Sequence, residues 1–121
     1  MRYRWMLLFI SLFTLLPSPG RAMELLMFEQ AGCVYCARWN AEIAPAYPKT
    51  AEGQAAPLRR VNLHAPLPPD LHLARPVSFT PTFVLVVDGR ESGRIEGYPG
   101  DEFFWGLLAE LTTRAGETPP E

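Results

Sequence analysis

The sequence predicts a small α/β domain, a four-stranded mixed sheet with helices packed on it. Three observations predict it: an apolar run of strand length leads through a helical stripe into a second strand, an Asp-Gly turn joins two further strands, and a last amphipathic stripe closes the chain. With 121 residues and no repeat of fixed period, the chain has the length of one domain rather than of an array.

Each element has its own signal. MELLMF (residues 23–28) is a short apolar run of the kind that lies centrally in a sheet, covered on both faces. After Gly32, the residues Cys36, Asn40, Ile43 and Tyr47 recur at spacings of four, three and four, with Trp39 and Ala44 beside them, which is one face of a helix. Pro45 ends or kinks that helix near Ala44. LRRVNLH (58–64) alternates as a second strand, and the proline-rich segment 65–79 is a crossover with room for one short helix around Asp70 to Ala74. TFVLVVDGRESGRIEGY (82–98) is a hairpin whose Asp88-Gly89 turn suits type I′. Asp101 is placed to cap a final helix with Phe103, Phe104, Leu107, Leu108 and Leu111 as its stripe and Gly116 as its stop. A right-handed strand-helix-strand unit followed by an antiparallel hairpin gives the mixed sheet. The domain is expected over residues 23–115, with a disordered tail over 116–121.

The first 22 residues read as an address rather than as fold. Arg2 and Arg4 precede the twelve-residue run WMLLFISLFTLL, followed by PSPG and by small residues at Gly20 and Ala22, the layout of a secretory signal cleaved after Ala22. The competing reading is an uncleaved anchor, but twelve helical residues span roughly 18 Å against a hydrocarbon core of about 30 Å. Cleavage removes three of the eleven basic residues and leaves eight against thirteen acidic ones, a net charge of minus five. Such a surface argues against nucleic acid or anionic lipid as partner, because both need clustered Lys and Arg. Export also sets the redox context, since a thiol pair outside the cytoplasm becomes oxidised unless something reduces it.

The chain has two cysteines, both in QAGCVYCARW (30–39). Cys33 sits where a strand has ended and a helix begins, so unpaired first-turn N–H groups and the positive end of the helix dipole face its sulfur. Helix N-termini with a C-x-x-C pair lower a cysteine pKa from about 8.5 to between about 3.5 and 7.5. Cys36, one turn on and on the core-facing stripe, is the sheltered partner. Three plainer readings compete. A structural staple gains little, roughly 2 kcal/mol for a loop of four residues. A zinc site needs four ligands, and beyond the cysteines the chain has only His64 and His72, eight apart in or beside the crossover. The third is an accidental pattern, against which the strand-to-helix position weighs. Thr80-Pro81-Thr82 adds a proline at the head of an apolar strand, either an ordinary strand-leading proline or a cis peptide that exposes the preceding backbone to a partner.

CVYC at a strand-to-helix turn, FTPTFVLVVDG with its Thr-Pro, and GYPG before the terminal helix together resemble the thioredoxin superfamily over residues 24–114. Within it the chain is most similar to the periplasmic Sox-type thioredoxins of sulfur-oxidising bacteria, on YCARW, EIAPAYPKTAEG and FTPTFVLVVDGRE. The resemblance implies a minimal thioredoxin-like fold without the superfamily's extra N-terminal strand and helix. It implies a thiol–disulfide oxidoreductase in which Cys33 attacks, Cys36 resolves and Pro81 is a cis-proline opposite them. Its redox group would be the Cys33–Cys36 disulfide, with no metal and no other cofactor. The implied setting is the periplasm, with a sulfur-carrier protein's cysteine as substrate, a membrane thiol-electron transporter as reductant and the protein acting as a monomer.

The sequence also departs from the superfamily pattern. Gly32 stands where thioredoxin has Trp, Val34-Tyr35 lie between the cysteines, and Met27 occupies the place of a buried aspartate, so that proton acceptor is not carried over. Thr80 and Tyr35 are features shared with periplasmic disulfide isomerases and glutaredoxins, which favours a reductive or isomerising role over a strong oxidant. Tyr35 and Trp39 can frame the docking surface, with flank packing the alternative for Trp39. Arg60, on the strand beneath, is either a thiolate stabiliser or a solvated cation. Isomerase, oxidase and non-catalytic partner-binding roles remain the alternatives.

Overall fold

The computed structural model describes residues 22–117, so the expected leader up to residue 21 and the last four residues of the expected tail lie outside the described residues. The order is β1 (Met23–Glu29), α1 (Val34–Glu42), a 3₁₀ turn (Tyr47–Lys49), α2 (Ala51–Ala55), β2 (Leu58–Asn62), β3 (Thr82–Val87), β4 (Arg90–Glu96) and α3 (Asp101–Glu117). The strands lie in the order β2-β1-β3-β4, with β1 and β2 parallel and the other pairs antiparallel. This is the expected mixed sheet. Leu25 to Phe28 of β1 are buried without interruption because both faces of this inner strand are covered. At its start, Ala22 and Asp88 exchange two hydrogen bonds, which stitch the head of β1 to the hairpin turn.

The two faces of the sheet are covered differently. Leu25, Met27, Phe83, Leu85 and Ile95 face α1 and α3, packing with Trp39, Ile43, Phe104 and Leu108. Leu26, Phe28, Val61, Val84 and Val86 face the other way and are covered by Leu71, Leu73 and Val77 of the crossover. The short helix expected at Asp70 to Ala74 is not formed. Pro66, Pro68, Pro69 and Pro76 crowd the segment, and the Asp70 carboxylate is held by Arg59 at 2.8 and 3.1 Å rather than capping a turn. His72 instead lies extended against β4, donating to the Gly89 carbonyl (2.8 Å) and accepting from the Glu91 N–H (2.9 Å).

A buried ion pair fastens this strap. The side chains of Arg94 and Glu91, 6% and 5% exposed, meet at 2.6 Å. Arg94 also donates to the Arg75 carbonyl (2.8 Å), and Glu91 accepts the Ala74 N–H (2.9 Å). Burial works against the Glu91 charge, but the Arg94 and Ala74 hydrogen bonds outweigh it and hold the carboxyl below its ordinary 4.5.

Other boundaries moved for local reasons. The segment between α1 and β2, with no helix expected, holds the 3₁₀ turn and α2. Thr50 caps α2 by accepting the Gly53 N–H (3.0 Å), and a Cβ on Gly53 would lie 1.7 Å from the Tyr47 carbonyl oxygen, so only glycine permits this contact. β2 ends two residues early because the Asn62 side chain accepts the His64 N–H (2.9 Å) and turns the chain. The hairpin turn has φ of 52° at Asp88 and 80° at Gly89, as type I′ requires.

Asp101 is the first helical residue of α3 rather than its cap, because the preceding Gly100 carbonyl already accepts the Phe104 N–H (2.9 Å). The helix also runs through Gly116 to Glu117 instead of stopping there. Its buried line is Phe104, Leu108, Leu111 and Ala115. Phe103 and Leu107 fall one position off that line and are 70% and 38% exposed, the consequence of 3.6 residues per turn.

Candidate active site

β1 delivers the chain through a turn at Gly32 to Cys33, the N-cap of α1, whose extended backbone (φ −79°, ψ 103°) aims its side chain back over the first turn. The Cys36 N–H donates to Cys33 Sγ at 3.2 Å. An orphan amide of the helix end is thus spent on sulfur, and with the helix dipole it favours negative charge there once the bond is reduced. The two cysteines are joined by a disulfide, their Cα atoms 5.2 Å apart. Cys36 is 4% exposed and belongs to the helix-side core, whereas Cys33 is half-buried and opens onto a cleft of about 370 Å³ shared with Glu29, Gln30 and Asn40. The pair therefore has an outer and an inner sulfur. Val34 and Tyr35, 70% and 54% exposed, present apolar surface beside it.

The loop ahead of β3 is tied to the same place. The Thr80–Pro81 peptide bond is cis. Gln30 links this loop to the cysteine turn, its Nε2 donating to Thr80 Oγ1 (2.9 Å) while its Oε1 meets His64 Nε2 (2.8 Å). Pro81 is buried, and its carbonyl accepts the Gly97 N–H at 2.8 Å. Thr80 is thus joined through Gln30 to the segment carrying Cys33.

A scan against protein-family models finds no match, and neither does a search among curated proteins. Among solved structures, the periplasmic thioredoxin SoxS from Paracoccus pantotrophus, in its reduced form, is 64% identical, with a TM-score of 0.76. The match covers 77% of this chain and 98% of that one. The chain belongs to the thioredoxin superfamily, SoxS type. It is a thiol–disulfide oxidoreductase, and the Cys33–Cys36 disulfide is the redox group that such a protein needs.

In this thioredoxin several side chains take places that their sequence positions left open. Trp39 is fully buried, with ring centroids 5.2 Å from Phe83 and 5.7 Å from Phe104, so it is part of the core and not of a docking surface. Arg60 is neither solvated alone nor bonded to a cysteine sulfur, and its Nη1 donates to Met27 Sδ at 3.6 Å. It pairs with Glu29 at 2.7 Å, and its guanidinium lies 5.9 Å from the Trp39 ring centroid. Met27, in the place of the superfamily's aspartate, is fully buried. His64 is engaged with Gln30 and His72 in the backbone bridge, and among the described residues no three His, Cys, Asp or Glu side chains cluster as a metal site would need.

Glu29 and Gln30 were not legible as site residues. The available signal for Glu29 was the pleat of β1: Met23, Leu25 and Met27 belong to the α1 side, and Glu29 is next in that alternation.

Proposed function

We propose that this protein works in the periplasm as a monomeric reductant of the cysteine on a sulfur-carrier protein, and that it is recharged by a membrane thiol-electron transporter. The likeness to a periplasmic SoxS over nearly all of that chain carries the reading. The sequence supports it with a leader over residues 1–22. No helix of the described residues is long and apolar enough to cross a membrane.

In the reaction, the Cys33 thiolate attacks one sulfur of the oxidised partner, forming a mixed disulfide and expelling the other sulfur fragment as a leaving thiol. Cys36 then loses its proton and attacks Cys33 Sγ. The partner departs as a thiolate that takes up a proton, and two electrons have passed from the dithiol to the partner. The half-buried position of Cys33 and the shelter of Cys36 support this division of labour. Tyr35, Thr80 and Pro81 form the docking edge, with Thr80 held in place through Gln30.

The test is a trap. Cys36→Ser should hold the partner as a mixed disulfide on Cys33 and lose turnover in a coupled insulin-reduction assay. Captured periplasmic proteins that lack a sulfur carrier would remove the substrate assignment, and turnover surviving in Cys36→Ser would remove the mechanism.

A further inference from the structure

The resolving step has a proton to dispose of, and the buried residue beneath the pair cannot take it, because Met27 carries no titratable group. We propose that Glu29 accepts the proton of Cys36 when Cys36 attacks the mixed disulfide, through the cleft that the two side chains share. The proposal rests on the reading of Cys36 as the resolving thiol.

Three observations carry it. Alternation along β1 sends Glu29 to the α1 side of the sheet, the side on which Cys36 is buried. Among the described residues lining the cleft of about 370 Å³, Glu29 is the single carboxylate, beside Cys33, Cys36 and Asn40. Asn40 stands four residues after Cys36 on the same face of α1, and its Oδ1 is buried with no hydrogen-bond partner among the described residues. An acceptor left idle while the sulfurs are bonded to each other is a place for the S–H that appears when they are not.

The charged group facing Glu29 is Arg60 of β2, at 2.7 Å, while His64 reaches only the neighbouring Gln30. The ion pair with Arg60 orients the carboxylate at the cleft wall. With 30% of its side chain exposed, Glu29 passes the proton on to solvent. The step balances: the Cys36 S–H bond breaks as the proton moves to Glu29, the Cys36–Cys33 bond forms as the Cys33–partner bond breaks, and the partner leaves with the electron pair.

The experiment is stopped-flow reaction of the reduced protein with 5,5′-dithiobis(2-nitrobenzoate), which releases one nitrothiolate when Cys33 attacks and a second when Cys36 resolves. Near neutral pH an ordinary thiol, with a pKa of about 8.5, is mostly protonated, so the second release needs a base. Glu29→Gln should slow the second release by about tenfold or more while leaving the first within about twofold, and should steepen the rise of the second rate with pH. A second release that is unchanged or faster overturns the proposal. Faster release is what a carboxylate acting only as a neighbouring negative charge gives, since its removal favours the thiolate. Arg60→Gln keeps the carboxylate but breaks the ion pair, so it should retain most of the second rate. Slowing equal to that of Glu29→Gln would assign the effect to the pair and overturn the proposal. Cys33→Ser separates the two readings: if the remaining Cys36 releases its one equivalent as fast as the parent releases its first, Cys36 is an attacking thiol and its resolving role fails whatever Glu29 does.

Discussion

The two faces of the sheet share β1 and β3 but are closed by different physics. On the helix side, Trp39, Phe83 and Phe104 interlock with ring centroids 5.0 to 5.7 Å apart, and the helices that bring two of them satisfy their own backbone hydrogen bonds. On the other side a proline-rich strap lies over Leu26, Phe28, Val84 and Val86 with few main-chain bonds of its own. Polar side chains must reach that strap instead, and Arg94 and Glu91 do so from β4. A sheet face can therefore be closed without a helix, provided that charged side chains bring the missing donors and acceptors with them.

The contrast can be broken by mutation. The largest loss is expected on the aromatic side, where Trp39→Ala should cost about 3–5 kcal/mol in urea denaturation and abolish redox turnover with the fold, since the same ring packs in the core that holds Cys36. A loss under about 1 kcal/mol would show that this side is not the dominant core. Arg94→Ala comes next. It leaves a buried Glu91 carboxylate without its partner and should cost about 3 kcal/mol, with faster amide exchange confined to residues 70–77 and β4. Uniformly faster exchange would mean that the strap is not a separable unit.

The smallest effect is on pH dependence. The Glu91 carboxyl titrates lower in the folded protein than in the unfolded chain, so its contribution is complete above its ordinary 4.5 and is lost as pH falls through the lowered folded value. Acid denaturation of Glu91→Gln should therefore show a shallower limb below that pH than the parent. An identical limb would place the acid sensitivity elsewhere.

Much of this was readable from residues alone because the signals were local. MELLMF, the Asp88-Gly89 turn and the cysteine pair at a strand-to-helix junction each specify their structure within a few neighbours. α2 was not readable, because AEGQA is only five residues long with a glycine at its centre, too short to nucleate a helix alone. It forms where Gly53 lies against the Tyr47 carbonyl, a contact that exists only after folding. The helix expected at Asp70 to Ala74 failed for the converse reason: its capping residue is taken by Arg59 and its backbone by β4. In the site, the cysteines announced themselves by spacing. Glu29 did not, because an acidic residue at the end of an apolar strand looks the same whether it meets solvent or a cleft, and only the position of α1 decides which.

The paired hydrogen bonds between Ala22 and Asp88 have a practical consequence. β1 has seven residues and rises about 3.3 Å for each, so roughly 23 Å separates that seam from the end that bears the sulfurs. A bead, dye or carrier protein joined ahead of residue 22 would hang from the far pole. The thiols would stay open to approach, and immobilisation by that route should leave the chemistry untouched.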